Sequence, residues 1–171
     1  MNRRNIINLS AITALGLVTS SSNAFAQQKT LKEQLVGTWI LVSVVQTTKD
    51  GVKSDRWGPN PRGQAIFEQN GRFSFMIVRS DVPKFASADI TQVAPAESKA
   101  VVIGMTANFG TWSVDEATKT ITTNIEAAWY PNLVGGTQKR IISSLTADEL
   151  KYTNPASVLG TSDDAVWKRA K

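Results

Sequence analysis

Arg62–Arg79, RGQAIFEQNGRFSFMIVR, consists of two short apolar runs hinged on Asn70-Gly71. Asn-Gly supplies the left-handed backbone positions that a tight hairpin turn needs, and it is the strongest short-range hairpin signal a sequence carries. Arg62 to Glu68 and Arg72 to Arg79 are therefore predicted to pair as antiparallel strands about Gln69-Asn70-Gly71. The same rhythm recurs on either side. Asn108 to Val114 and Thr120 to Ala127 flank the turn Asp115–Lys119, and Thr137 to Leu145 and Glu149 to Thr153 flank Thr146-Ala147-Asp148. Gly37 to Thr48, rich in Val, Ile, Leu and Thr, supplies a first strand, and Ala165 to Ala170 a last one.

Eight strands result, joined alternately by tight turns and by long loops at Lys49–Pro61, Ser80–Ala107, Ala128–Gly136 and Asn154–Asp164. A short helix is expected around Ala96–Val101 in the second long loop. Consecutive connections of an up-and-down sheet lie at opposite ends, so the tight turns gather at one end and the long loops at the other. The fold class predicted is all-β: an eight-stranded antiparallel up-and-down barrel, closed below and rimmed by loops above. A barrel of that size has room for one small ligand. A two-sheet sandwich is the alternative that the same strand pattern permits.

Residues 1–26 read as a leader rather than as part of the barrel. Arg3 and Arg4 give a positive start, Ala11 to Val18 a short apolar run, and Ala24-Phe25-Ala26 an A-x-A cleavage site. That run is too short to remain as a membrane span, which needs about 20 apolar residues. Cleavage after Ala26 leaves one domain, residues 27–171, in the periplasm or outside the cell. Whether export follows the general or the twin-arginine route stays open. The formal charge of +5 falls by two with Arg3 and Arg4, and the remaining basic residues are scattered. Nucleic acid is not an expected partner, since it calls for a dense basic face.

The chain has neither cysteine nor histidine. The barrel therefore stands without disulfides, and no N-terminal cysteine is available for lipid attachment. A histidine-ligated zinc site and a Ser-His-Asp triad are both excluded, and Ser43 and Ser74 have no imidazole to activate them. Asp50-Gly51 and Gly135-Gly136 are turn chemistry rather than a phosphate loop, so neither a cofactor nor a metal is expected.

In this order, several stretches carry a resemblance: Leu35-Val36-Gly37-Thr38-Trp39, Gly58-Pro59-Asn60-Pro61-Arg62-Gly63, Asn70-Gly71 and Arg79–Ala86. Gly110-Thr111-Trp112-Ser113-Val114, Tyr130–Gly135 and Val166-Trp167-Lys168-Arg169 continue it. Together they resemble the bacterial lipocalin-like domain family of small barrels, across essentially the whole of residues 27–171. The resemblance implies that Trp39 plugs the closed end and that Arg169 or Lys168 packs across it. Relatives often carry histidines where this chain has Thr122-Thr123, so chemistry supplied by such histidines is not implied here. The family has no single activity to carry over.

The candidate site follows from the barrel. If Trp39 points inward, alternation puts Leu41, Ser43 and Val45 inward too; Phe73, Phe75 and Ile77 form the apolar face of their strand, which brings Arg79 inward near the mouth. Trp57, Phe85, Trp129 and Tyr130 lie in the rim loops, where aromatics offer apolar area with polar handles. Arg79 and Arg140 are placed to hold an acidic group. Glu126, ending a strand below Trp129, is the one catalytic candidate, as a buried acid or base with Tyr130 or Tyr152 beside it.

Three functions remain in play. The first is a binding or carrier barrel for a small apolar molecule, with or without an acidic group. A cofactor-free isomerase, cyclase or dehydratase would instead need Glu126 or Arg140 to face inward. An interaction domain would show a contiguous apolar patch on its rim. Oligomeric state, ligand identity and any motion of Ser80–Ala107 are not readable from the residues.

Overall fold

The computed structural model describes residues 29–171, so the leader expected at 1–26 lies outside the described residues. A five-residue helix, α1 (Leu31–Leu35), leads into β1 (Gly37–Thr47), followed by the two-residue β2 (Lys53–Ser54), β3 (Arg62–Phe67) and β4 (Arg72–Val78). The longest connection holds a 3-10 turn (Ile90–Gln92) and α2 (Pro95–Gly104). Then come β5 (Met105–Asp115), β6 (Thr120–Ala128), a 3-10 turn (Pro131–Leu133), β7 (Thr137–Leu145), β8 (Glu149–Asn154) and β9 (Ser162–Arg169). Pro95 at its first turn and Glu97, which accepts from the Ala94 amide at 3.1 Å, start α2.

Every strand pairs antiparallel with its neighbour, in the order β1, β3, β4, β5, β6, β7, β8, β9. β1 closes the circle: its first residues, Gly37–Ile40, pair with β3, while Trp39 to Thr47 pair with β9. One strand bonded on both sides makes this a closed eight-stranded barrel and not a sandwich; β2 is a stub on the upper end of β1. Gly71, at a positive φ of 86°, turns the β3–β4 hairpin, and the Glu68 amide bonds the Arg72 carbonyl at 2.8 Å. All three tight turns lie at the α1 end and the four long connections at the other.

Alternation holds on β4, where Phe73 and Ile77 are buried and Phe75 is packed against the core. It breaks on β1. The register with β9 shifts between Leu41 and Ser43, and a bulge of one residue reverses the parity of everything beyond it. Trp39 and Leu41 are inward as expected, but Val44 and Gln46 take the inward places above the bulge and Val45 is 40% exposed. The inward placement of Val45 is thereby corrected.

The residues just before β1 form a structural part of the floor. Thr30 Oγ1 accepts from the Glu33 amide at 3.1 Å and Glu33 accepts from the Thr30 amide at 2.8 Å, a reciprocal cap that starts α1. Glu116, in the β5–β6 turn, accepts from the Leu31 and Lys32 amides and ties the helix beneath the barrel. Leu35 is fully buried there, and its carbonyl accepts from Trp39 Nε1 at 2.8 Å. Burying a tryptophan takes ~150–250 Å² out of water, on the order of 4–6 kcal/mol at ~25 cal/mol per Å². The floor is thus a principal part of the core, together with Trp167, Ile121 and Leu150.

Candidate functional site

Beneath the loop end the barrel holds a cavity of about 60 Å³. Its strand walls are Val44, Phe75, Ile77, Thr106, Asn108, Gln138, Arg140, Tyr152, Asp163 and Ala165. Its roof comes from the loops, chiefly Arg56, Trp57, Trp129, Leu133 and Val158. A water needs ~10–15 Å³ of such space, and an apolar cavity of ~150 Å³ accepts benzene. The present cavity therefore suits a molecule of only a few heavy atoms, or one end of a longer molecule.

Arg140 dominates its polarity. It lies on β7, paired across from Ile121, and is only 4% exposed. Nη1 donates to Thr123 Oγ1 at 3.1 Å and Nη2 to Gln138 Oε1 at 2.9 Å. The guanidinium carbon also lies 5.1 Å from the Phe75 ring centre and 5.7 Å from that of Tyr152. Thr123 sits where the family resemblance led to histidine in relatives. Here it is fully buried and orients the arginine instead.

Asp163 is the carboxylate on the cavity wall. It accepts from Gln46 Nε2 at 3.0 Å, and partial burial raises its carboxyl above the ordinary value against the pull of Gln46, Thr161, Arg56 and Arg140. Burial likewise pushes the Tyr152 phenol up, so that it stays neutral. The positions of Asn108, Gln138 and Asp163 on the wall were not singled out from sequence. Alternation on β5 and β7 points to the first two, but the bulge in β1 and the early start of β9 obscure the third.

The aromatic candidates divide. Trp57 is 3% exposed and roofs the cavity, with the Arg56 guanidinium 4.6 Å from its ring centre. Trp129 also lines it, and donates from Nε1 to the Val102 carbonyl at 3.1 Å. Tyr130 leans on Trp129, with ring centres 5.8 Å apart, but faces outward. Phe85 is 38% exposed on the rim and does not reach the cavity. Of the four, the structure brings together Trp57 and Trp129.

Arg79 does not point into the barrel. Nε and Nη2 form a fork on the Asp81 carboxylate, at 2.8 and 2.6 Å, and Nη1 donates to the Arg56 carbonyl at 3.0 Å. The strand ends at Val78, so alternation no longer governs the next residue. Arg79 instead joins the long connection to the loop that carries Trp57. Arg56 Nη2 on the Ile103 carbonyl and Ser80 Oγ on the Pro59 carbonyl add to the same latch.

Glu126 lies on the outer face of β6, half exposed, in a two-pronged ion pair with Arg72 at 2.6 and 2.8 Å. The hydrogen bonds from Arg72 hold its carboxyl below the ordinary value. It is neither buried nor raised, and does not line the cavity, which corrects the acid-base role considered for it. Among the described residues no group of three or more acidic, histidine or cysteine side chains is arranged to hold a metal.

A family model described as a lipocalin-like domain matches residues 36–170. Among solved structures, a lipocalin-like protein from Bacteroides uniformis is similar at 16% identity and a TM-score of 0.44, over 80% of this chain and 99% of that one. A redesigned β-barrel is similar at 14% identity and 0.43, over 82% and 95%. Bovine odorant binding protein in complex with a selenium-containing odorant is similar at 14% identity and 0.42, over 85% and 75%. No curated protein matches.

Proposed function

We propose, from the premise that this chain belongs to the lipocalin-like domain family, that its barrel binds or carries a small apolar molecule in its interior. The observation that carries this reading is the cavity under the loops. It is walled by Val44, Phe75, Ile77 and Ala165 and roofed by Trp57, Trp129 and Leu133. Apolar walls with a few placed polar groups are what small-molecule sites are made of. The place of action proposed is the periplasm or the outside of the cell, after loss of residues 1–26. Support for that is the Arg3-Arg4 start, the Ala11–Val18 run and the Ala24-Phe25-Ala26 site.

Native mass spectrometry of protein exported to a bacterial periplasm and purified gently tests the carrier reading. A co-purifying small molecule of defined mass is the expected result, and its mass gives the chemical class. The reading is overturned if only the bare chain is seen and a panel of short and long carboxylic acids, aromatics and isoprenoids leaves the melting temperature unmoved. A peptide mass beginning at Gln27 is the expected sign of leader removal in the same experiment.

A further inference from the structure

Arg140 is nearly sealed from solvent, yet the ion pairs among the described residues are Arg72–Glu126, Arg79–Asp81 and Lys151–Glu149, none of which involves it. A buried cation is costly unless paired. Its two side-chain hydrogen bonds go to neutral oxygens, of Thr123 and Gln138, and a guanidinium has five N–H groups. The Asp163 carboxylate on the same wall accepts from Gln46 Nε2 at 3.0 Å and from Thr161 Oγ1 at 3.4 Å, and forms no ion pair with Arg140.

Two further groups around the cavity are left without partners. Trp57 Nε1 is buried and bonds nothing, and so is Asn108 Oδ1; both residues line the cavity with Arg140. Buried polar groups are nearly always satisfied, so orphans gathered about one cavity mark where a ligand or water belongs. An indole N–H only donates, and a guanidinium only donates. Trp57 Nε1–H and the Arg140 guanidinium ask for an acceptor carrying negative charge, whereas Asn108 Oδ1, an acceptor itself, asks for a donor such as a water beside it.

We infer that the cavity recognises a carboxylate, with Arg140 as its counter-ion and Trp57 Nε1–H as a second donor. The ligand class is a short monocarboxylic acid, or the carboxylate end of a longer one. This rests on the binding reading above and adds its head group. Apolar contacts from Val44, Phe75, Ile77 and Leu133 hold the first carbons of the chain. The small volume limits what the present cavity encloses beyond them.

The test is a ¹H–¹⁵N NMR titration of the whole barrel with butyrate, butyramide and octanoate, following the Trp57 indole N–H, assigned with Trp57→Phe. The expected result is a downfield shift of that signal with butyrate or octanoate, and about tenfold or more preference for butyrate over butyramide, as a hydrogen bond to a charged partner supports. Tighter binding of butyrate identifies a short acid, and tighter binding of octanoate a longer one. Arg140→Met, checked for folding by its spectrum, is expected to erase the preference for acid over amide. Wild-type protein alone also decides the matter. Equal binding of butyrate and butyramide overturns carboxylate recognition and leaves an apolar binding barrel standing. No response of the Trp57 signal to any of the three means that water alone fills the cavity, and overturns the inference outright.

Discussion

The guanidinium of Arg169 lies 4.1 Å from the centre of the Trp39 ring, across the floor of the barrel. It also donates to three backbone carbonyls: Nε to Ala147 at 2.6 Å, Nη1 to Val36 at 2.9 Å, and Nη2 to Gln34. One side chain from β9 thereby binds the end of α1, the start of β1 and the β7–β8 turn. Gly37 makes room for it. A Cβ there would stand 2.7 Å from Nη1, and the backbone has a φ of 129°, which side-chain-bearing residues rarely adopt. The Gly-x-Trp spacing thus has a physical reason: the glycine admits the arginine that covers the tryptophan.

Arg169→Ala is expected to destabilise the barrel by about 2–4 kcal/mol, combining a lost cation–π contact with carbonyls left without a donor. Arg169→Lys is expected to recover only part of this, since an ammonium cannot span three carbonyls in one plane. Urea unfolding at pH 7 measures both. A loss in Arg169→Ala no larger than that of an exposed lysine substitution would remove the floor from the list of stabilising elements.

Most of the frame was legible because its signals are local. Asn70-Gly71 and the two other tight turns mark hairpins from within a few residues, and all eight barrel strands fall where the runs of β-forming residues lie. What escaped depends on geometry beyond a local window. The bulge at Leu41–Ser43 has no signature in its own residues, yet it decides that Val44 and Gln46 face the cavity and Val45 does not. α1 is too short for periodicity to reveal and is recognisable only by its Thr30/Glu33 cap. Arg140 was readable as a candidate because it sits within a strand, at a fixed parity. Arg79 was misread because it lies one residue past the end of β4, where its direction is set by Asp81.

Glu126→Gln separates the surface ion pair from any role in the barrel. Arg72 holds the Glu126 carboxyl below its ordinary 4.5 in the folded protein. A depressed acid contributes stability above its ordinary value and loses it as pH falls through the lowered one. The pair is exposed, so its removal is expected to change unfolding at pH 7 little. The variant's deficit against wild type, such as it is, should shrink as pH drops below about 4.5. Ligand retention in native mass spectra should be unchanged. Loss of bound ligand without unfolding would return Glu126 to the site and speak against the cavity as the place of binding.

Asp163 runs the other way. Burial raises its carboxyl above the ordinary 3.8, because the drive to neutralise it exceeds the pull of Gln46, Thr161, Arg56 and Arg140. In the folded state it holds its proton at a pH where the unfolded chain has released it. Its contribution to stability is therefore full below about pH 3.8 and is lost as pH rises through the folded value. Asp163→Asn keeps an oxygen for Gln46 but carries no charge at any pH. Relative to wild type, the variant is expected to gain stability between pH 4 and pH 7, measured by urea unfolding at each pH. An added carboxylate ligand should widen that gap, since it brings a second negative charge to the wall where Asp163 ionises. The opposite trend, with the variant losing ground as pH rises, would mean that ionised Asp163 is the counter-ion of Arg140. The arginine would then have no charge to offer a ligand.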